Sequence, residues 1–113
     1  MGRYVIFADP LHKKIKVMKS EEAFGNAKNA KLISSYMEKF AEKEEIEGIP
    51  MYVSPIINAV TGEIAPYSFF LCTDKDIREI RGIGIVFTEN ERAAEEIAAL
   101  MRKSAVVWKE VCF

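Results

Sequence analysis

The chain of 113 residues contains no glutamine, one histidine, one tryptophan and two cysteines. The shortages of cysteine and histidine each remove a class of function. Cys72 and Cys112 are too few for a disulfide scaffold, and their spacing matches no zinc pattern. Each lies in an apolar run, so both are expected as buried free thiols behaving as small hydrophobes. A disulfide between neighbouring strands is the alternative in an unusually oxidising cytoplasm. With His12 as the only imidazole, a Cys–His or Ser–His catalytic pair needs His12 beside Cys72, Cys112 or a serine. None of Ser20, Ser34, Ser35, Ser54, Ser68 and Ser104 sits in a nucleophile-elbow pattern.

Long hydrophobic stretches are also missing. The longest apolar runs are about five residues, against roughly 20 for a membrane-spanning helix. Met1 to Phe7 is too short for the apolar part of a secretory leader. The expected compartment is the cytoplasm, with no membrane partner. The absence of glutamine beside 14 Glu and 11 Lys gives a thermophile-like composition, which bears on origin rather than activity.

Half of the residues are hydrophobic and 29 % are charged. A chain of this length is expected to form one domain over residues 1–113, burying roughly two-thirds of the surface its unfolded form exposes. Sixteen basic and 17 acidic side chains give a net charge of −1, too balanced for a global field that attracts nucleic acid.

Residues 3–8 read as a strand ended by Asp9-Pro10, and residues 15–18 as its hairpin partner across a basic turn. Ser20 reads as the N-cap of a first helix, with Glu21 and Glu22 complementing its dipole. Ala23, Ala27, Ala30, Ile33, Met37, Phe40 and Ala41 recur at helical spacing, and Leu32 and Tyr36 widen that stripe. Gly25, Asn26 and Asn29 are poor interior residues, so the first turns are expected to be irregular. The charged stretch 38–47 continues this helix until Gly48 and Pro50 stop it.

Residues 51–60 and 63–73 read as two strands around Thr61-Gly62, with Pro55 and Pro66 marking an edge, a bulge or a break. Residues 80–87 form the next strand. Thr88-Glu89-Asn90-Glu91 reads as a capping box opening a second helix, and 105–113 as a final strand. The fold class is α+β: a mixed, mostly antiparallel sheet of five to six strands with two helices, in the order ββ-α-βββ-α-β. The span 80–113 is long enough for a right-handed parallel crossover.

Five constellations carry possible chemistry. Arg81-Gly82-Ile83-Gly84 resembles the start of a dinucleotide fingerprint. The strand continues after it, however, which favours a bulge or a close contact over phosphate binding. Asp9, Asp74 and Asp76, the only aspartates, fall at strand ends, and with His12 nearby they could hold a metal ion; Asp is equally the ordinary turn residue. Residues 12–31 carry six lysines against two glutamates, and Lys13, Lys14 and Lys16 on the hairpin could touch phosphates. No RNA-binding motif with exposed aromatics accompanies them. Residues 38–47 carry five Glu and two Lys; such opposed patches also suit contacts between subunits. Tyr52, Asn58 and Tyr67 mix polar and aromatic groups as small-molecule sites do.

The last strand is apolar on both faces, which suits a strand covered on two sides, one of them by a second copy. The first reading is therefore a small binding or regulatory domain that self-associates, a homodimer first, with no catalytic signature and no cofactor named by any motif. A small-molecule ligand fits this reading. The second reading is a metal-dependent enzyme acting on a phosphorylated substrate through Asp9, Asp74 and Asp76. The third is a weak nucleic-acid module using the basic hairpin.

Overall fold

A computed structural model describes residues 2–109. The chain opens with a hairpin, β1 (Tyr4–Asp9) and β2 (Lys14–Lys19). One helical turn, α1 (Ser20–Ala23), leads into α2 (Ala27–Phe40). A second hairpin follows, β3 (Glu42–Ile46) and β4 (Ile49–Ser54). After an irregular excursion come β5 (Ser68–Cys72), β6 (Ile77–Arg81) and β7 (Ile83–Thr88). Helix α3 (Glu91–Leu100) runs directly into a π-helical turn (Met101–Ala105) and then β8 (Val106–Trp108).

The strands form two sheets, ordered β2-β1-β7-β4-β3 and β6-β5-β8, and every pairing is antiparallel. The α+β class holds, with eight strands instead of five or six. The expected parallel crossover does not form among the described residues, because β8 joins the smaller sheet and pairs antiparallel with β5.

Gly82 is where one strand passes between sheets. Its φ of +125° is a conformation that L side chains rarely adopt, and a Cβ there would overlap the Ser54 carbonyl oxygen. The glycine pair thus marks a close approach to the end of β4, not a phosphate loop. Gly84, two residues on, lets Met51 and Phe69 meet over the sheet; a Cβ would lie 2.8 Å from the Met51 sulfur and 3.0 Å from the Phe69 ring.

One face of the larger sheet is the core. Ile6, Ala8, Met51, Val53 and Val86 pack there against Phe69 and Leu71 of the smaller sheet and against Ala94, Ile97, Ala98 and Met101. The small α3 side chains permit its close contact with β1, β2 and β7. The opposite face, reached by alternation along each strand, carries Val5, Phe7, Ile85, Phe87 and Tyr52. Phe24, between α1 and α2, places its ring 6.1 Å from Phe7 and 6.2 Å from Phe87.

Several boundaries differ from the sequence reading, each for a local reason. Ser20 is not an N-cap: it is the buried first residue of α1, and its hydroxyl donates to the Gly2 carbonyl. The long helix begins at Ala27, capped by Asn26, whose side chain accepts from Asn29 N–H. It stops at Phe40. The charged stretch beyond it is β3, drawn into the sheet by pairing with β4 and by burial of Ile46. Pro50 therefore lies within β4, opposite Glu45, rather than ending a helix. Thr88 closes β7, and Asn90 caps α3 through Ala93 N–H. Strands β4 and β5 do not pair with each other. Residues 55–67 between them project as a small hairpin with a single bridge, Ile57 to Ile64. Of the expected last strand, 106–108 is present. Its remainder, 110–113, which holds Cys112 and much of the two-sided apolar pattern, lies outside the described residues.

Candidate functional site

Helix α2 is the element whose sequence and environment disagree most. Its 14 residues bury one side chain, Ala30. Leu32, Tyr36 and Phe40, spaced by four and so aligned along one stripe, are 60 %, 64 % and 70 % exposed. The Tyr36 and Phe40 rings lie 5.1 Å apart, which organises the stripe as a continuous apolar ridge. The helix begins with Lys28 and Lys31 and no acid in its first turn. Its last turn holds Glu38 and Lys39, and it leads into the glutamate-rich β3. On the sheet below, Tyr52 packs 6.1 Å from Phe87, and Lys43 Nζ stands 5.9 Å from the Tyr52 ring centre. Burial, with help from the Glu38 charge, pushes the Tyr52 hydroxyl above its ordinary range.

The projecting hairpin is the second exposed apolar element. Asn58 builds its turn: its side-chain oxygen accepts from Val60 and Thr61 N–H at 2.9 and 3.2 Å, and its carbonyl accepts from Gly62 N–H. The result lifts Ile57, Val60 and Ile64 into solvent. Asn58 is thus a turn former. Tyr67 contributes its carbonyl to Gly82 N–H at the sheet corner. Tyr52, Asn58 and Tyr67 stand outside the cavities of about 500, 690 and 340 Å³ that open elsewhere on the surface.

The aspartates go to two turns. Asp9 ends β1; its Oδ1 accepts from Leu11 and His12 N–H, and its Oδ2 lies 2.7 Å from His12 Nδ1. Partial burial works to raise the Asp9 carboxyl, but the His12 side-chain bond and the two backbone bonds outweigh it and hold the group below its ordinary range. Asp74 and Asp76 sit in the β5–β6 turn, in the other sheet. Asp76 accepts from Arg78 Nε at 2.9 Å, and that guanidinium keeps its carboxyl low. Arg78 also reaches Glu44 of β3 at 2.6 Å, tying the two sheets together. The turn, β3 and the π-helical segment enclose the cavity of about 690 Å³, which includes Cys72. Among the described residues no group of three or more His, Cys, Asp or Glu side chains is placed to hold a metal ion.

The lysines go to an edge. β2 is the outer strand of the larger sheet, and it carries Lys14, Lys16 and Lys19, with Lys13 in the preceding turn. The fold brings Arg102 and Trp108, far away in sequence, to the Lys13-Lys14 end, where they line the cavity of about 340 Å³. Arg102 Nη2 donates to the Ile15 carbonyl at 3.0 Å. At the other end, Lys19, Arg3, Tyr4 and Lys31 line the cavity of about 500 Å³. Sequence reasoning found the lysines and missed Arg102 and Trp108, which no local pattern connects to them.

Compared with known protein families, with curated proteins and with solved structures, the chain matches none. No helix among the described residues is long and apolar enough to cross a membrane.

Proposed function

We propose that this protein is a small binding domain that works as a homodimer, with α2 as its self-association element. The observation that carries this reading is the Leu32-Tyr36-Phe40 ridge, exposed on a helix that contributes almost nothing to its own core. Large apolar side chains grouped on a surface mark interaction sites, whereas scattered ones need no explanation. The occupant we favour is a second α2, because the charges along the element are uneven: Lys28 and Lys31 stand near its start, while Glu38 and Lys39 offset each other at its end and the glutamates of β3 follow. An isologous pair with antiparallel helices opposes these ends, while a parallel pair sets like charges together. The reading is non-enzymatic. Its regulatory content lies in linking whatever the domain binds to the association of two copies.

Sedimentation across a broad concentration range tests it. The wild type is expected to dimerise at micromolar concentration, and Leu32→Glu is expected to be a folded monomer. A wild type that stays monomeric at roughly millimolar concentration, where even associations worth about 4 kcal/mol are populated, removes the proposal.

A further inference from the structure

We infer that the β2 edge binds a single strand of nucleic acid. The chain's net charge of −1 conceals a strongly basic flank. Lys14 and Lys16 stand on one face of the edge strand and Lys19 on the other, with Lys13 in the preceding turn, Arg102 at one end and Arg3 and Lys31 at the other. None of these seven takes part in an ion pair among the described residues. The acids beside them are few: Asp9 is engaged by His12, and Glu21 lines the larger cavity. An uncompensated line of cations is the electrostatic footprint of a polyanion site, and overall neutrality does not cancel it at short range.

Charge alone does not choose the polyanion; the aromatic rings do. Each end of the edge closes on a cavity that combines cations with one ring, Trp108 with Lys13, Lys14 and Arg102, and Tyr4 with Arg3, Lys19 and Lys31. Single-strand binders use this combination, a basic track for the backbone and rings on which unpaired bases stack. A duplex keeps its bases stacked inside and would use only the lysines. From Lys14 to Lys19 the edge extends about 17 Å, enough for a few nucleotides. Arg102 spends one donor on the Ile15 carbonyl, which fixes its place, and keeps further N–H groups for phosphate. The inference does not depend on dimerisation through α2; the two surfaces meet at Lys31, which precedes Leu32 on that helix.

Fluorescence anisotropy with a labelled oligo-dT of roughly 12 nucleotides, within the site sizes of small single-strand binders, tests it. Four to seven phosphate contacts predict a log–log salt slope of about −3 to −5. The exposed double variant K14E/K16E should bind at least about tenfold more weakly, with a slope flatter by about 1.4. Trp108→Leu should lose about tenfold, the scale of one base–ring stack, with the slope unchanged. Leu32→Ala, which weakens self-association without placing an acid beside Lys31, should bind like the wild type, which keeps failure of dimerisation distinct from failure of this site. Trp108 also packs against Phe69, so its variant is read only after a thermal melt; the lysine variant carries the test if that fold is lost. Absence of binding at low salt, or unchanged affinity in K14E/K16E, overturns the inference. Equal binding of inorganic polyphosphate, with no loss in Trp108→Leu, overturns the nucleic-acid assignment.

Discussion

Helices α2 and α3 both present an apolar stripe at helical spacing, but α3 packs on the five-stranded sheet whereas α2 packs chiefly on α1. They meet very different fates. Of ten residues in α3, Ala94, Ile97 and Ala98 are buried, and the next turn adds Met101 and Ala105. Of 14 in α2, only Ala30 is. The difference lies in side-chain size and placement. Alanines at the α3 contact let the helix approach the sheet closely, where Gly84 has already cleared space for Met51 and Phe69. In α2 the bulky residues Leu32, Tyr36 and Phe40 face solvent, while Phe24, just before the helix, packs on Phe7 and Phe87 of the sheet. An amphipathic pattern therefore says that a helix has something to cover. It does not say whether the cover is its own core or another molecule.

The largest expected effect is on the α3 side. Phe69 is fully buried where the two sheets and Gly84 meet, touching Trp108 edge-on at 6.0 Å. Phe69→Ala should cost about 3–5 kcal/mol by transfer and cavity terms together, read by chemical denaturation. A cost near 1 kcal/mol would mean that the sheets are not joined by one core. Gly82→Ala should follow, at about 1–3 kcal/mol for the strained backbone and more if β4 cannot move off the added Cβ. A neutral result would break the account of the strand corner. The helices themselves give the sharpest contrast. Ile97→Ala in α3 should cost about 2–4 kcal/mol. Leu32→Ala in α2 should stay within about 0.5 kcal/mol in dilute solution while weakening self-association. Similar costs at both positions would mean that α2 is a core helix after all.

Parts of this contrast were legible in the residues. The first hairpin, Ser68–Cys72 as a strand, and the broken pairing at Pro55 and Pro66 follow from turn chemistry and β-propensity, which act locally. Glu42–Ile46 was not legible as a strand. Its sequence Glu-Lys-Glu-Glu favours helix, and pairing across the Glu47-Gly48 turn overrode it. The caps slipped by a few residues because Asn26 and Asn90 compete with Ser20 and Thr88 for the same role, and burial of Ser20 and Thr88 decides between them. The members of the α2 ridge were visible, but their outward direction depends on what Phe24 covers. The basic edge was half legible: periodicity places Lys14, Lys16 and Lys19 on a strand, while Arg102 and Trp108 reach it only through the three-dimensional path of α3 and β8.

The smallest effect lies at the β1–β2 turn, away from both helices, and it gives the baseline against which the others are judged. Asp9 is held below the ordinary aspartate range by its hydrogen bonds with His12 and Leu11. The folded protein thus binds the Asp9 proton more weakly than the unfolded chain does. Its contribution is complete above the free aspartate value of about 3.9 and is lost as pH falls through the lower folded value. Asp9→Asn keeps an oxygen to accept the Leu11 N–H but removes the charge and the second acceptor oxygen that meets His12 Nδ1. The variant should be less stable than wild type by at most about 1 kcal/mol at neutral pH, with the gap closing as pH falls through the lowered Asp9 value. Asp76 and Glu79 are also held low, by Arg78 and Lys109, but they are common to both proteins and cancel in the difference. A gap that stays constant from neutral to acid pH would show that the Asp9 charge contributes nothing and that the residue acts only as a turn former.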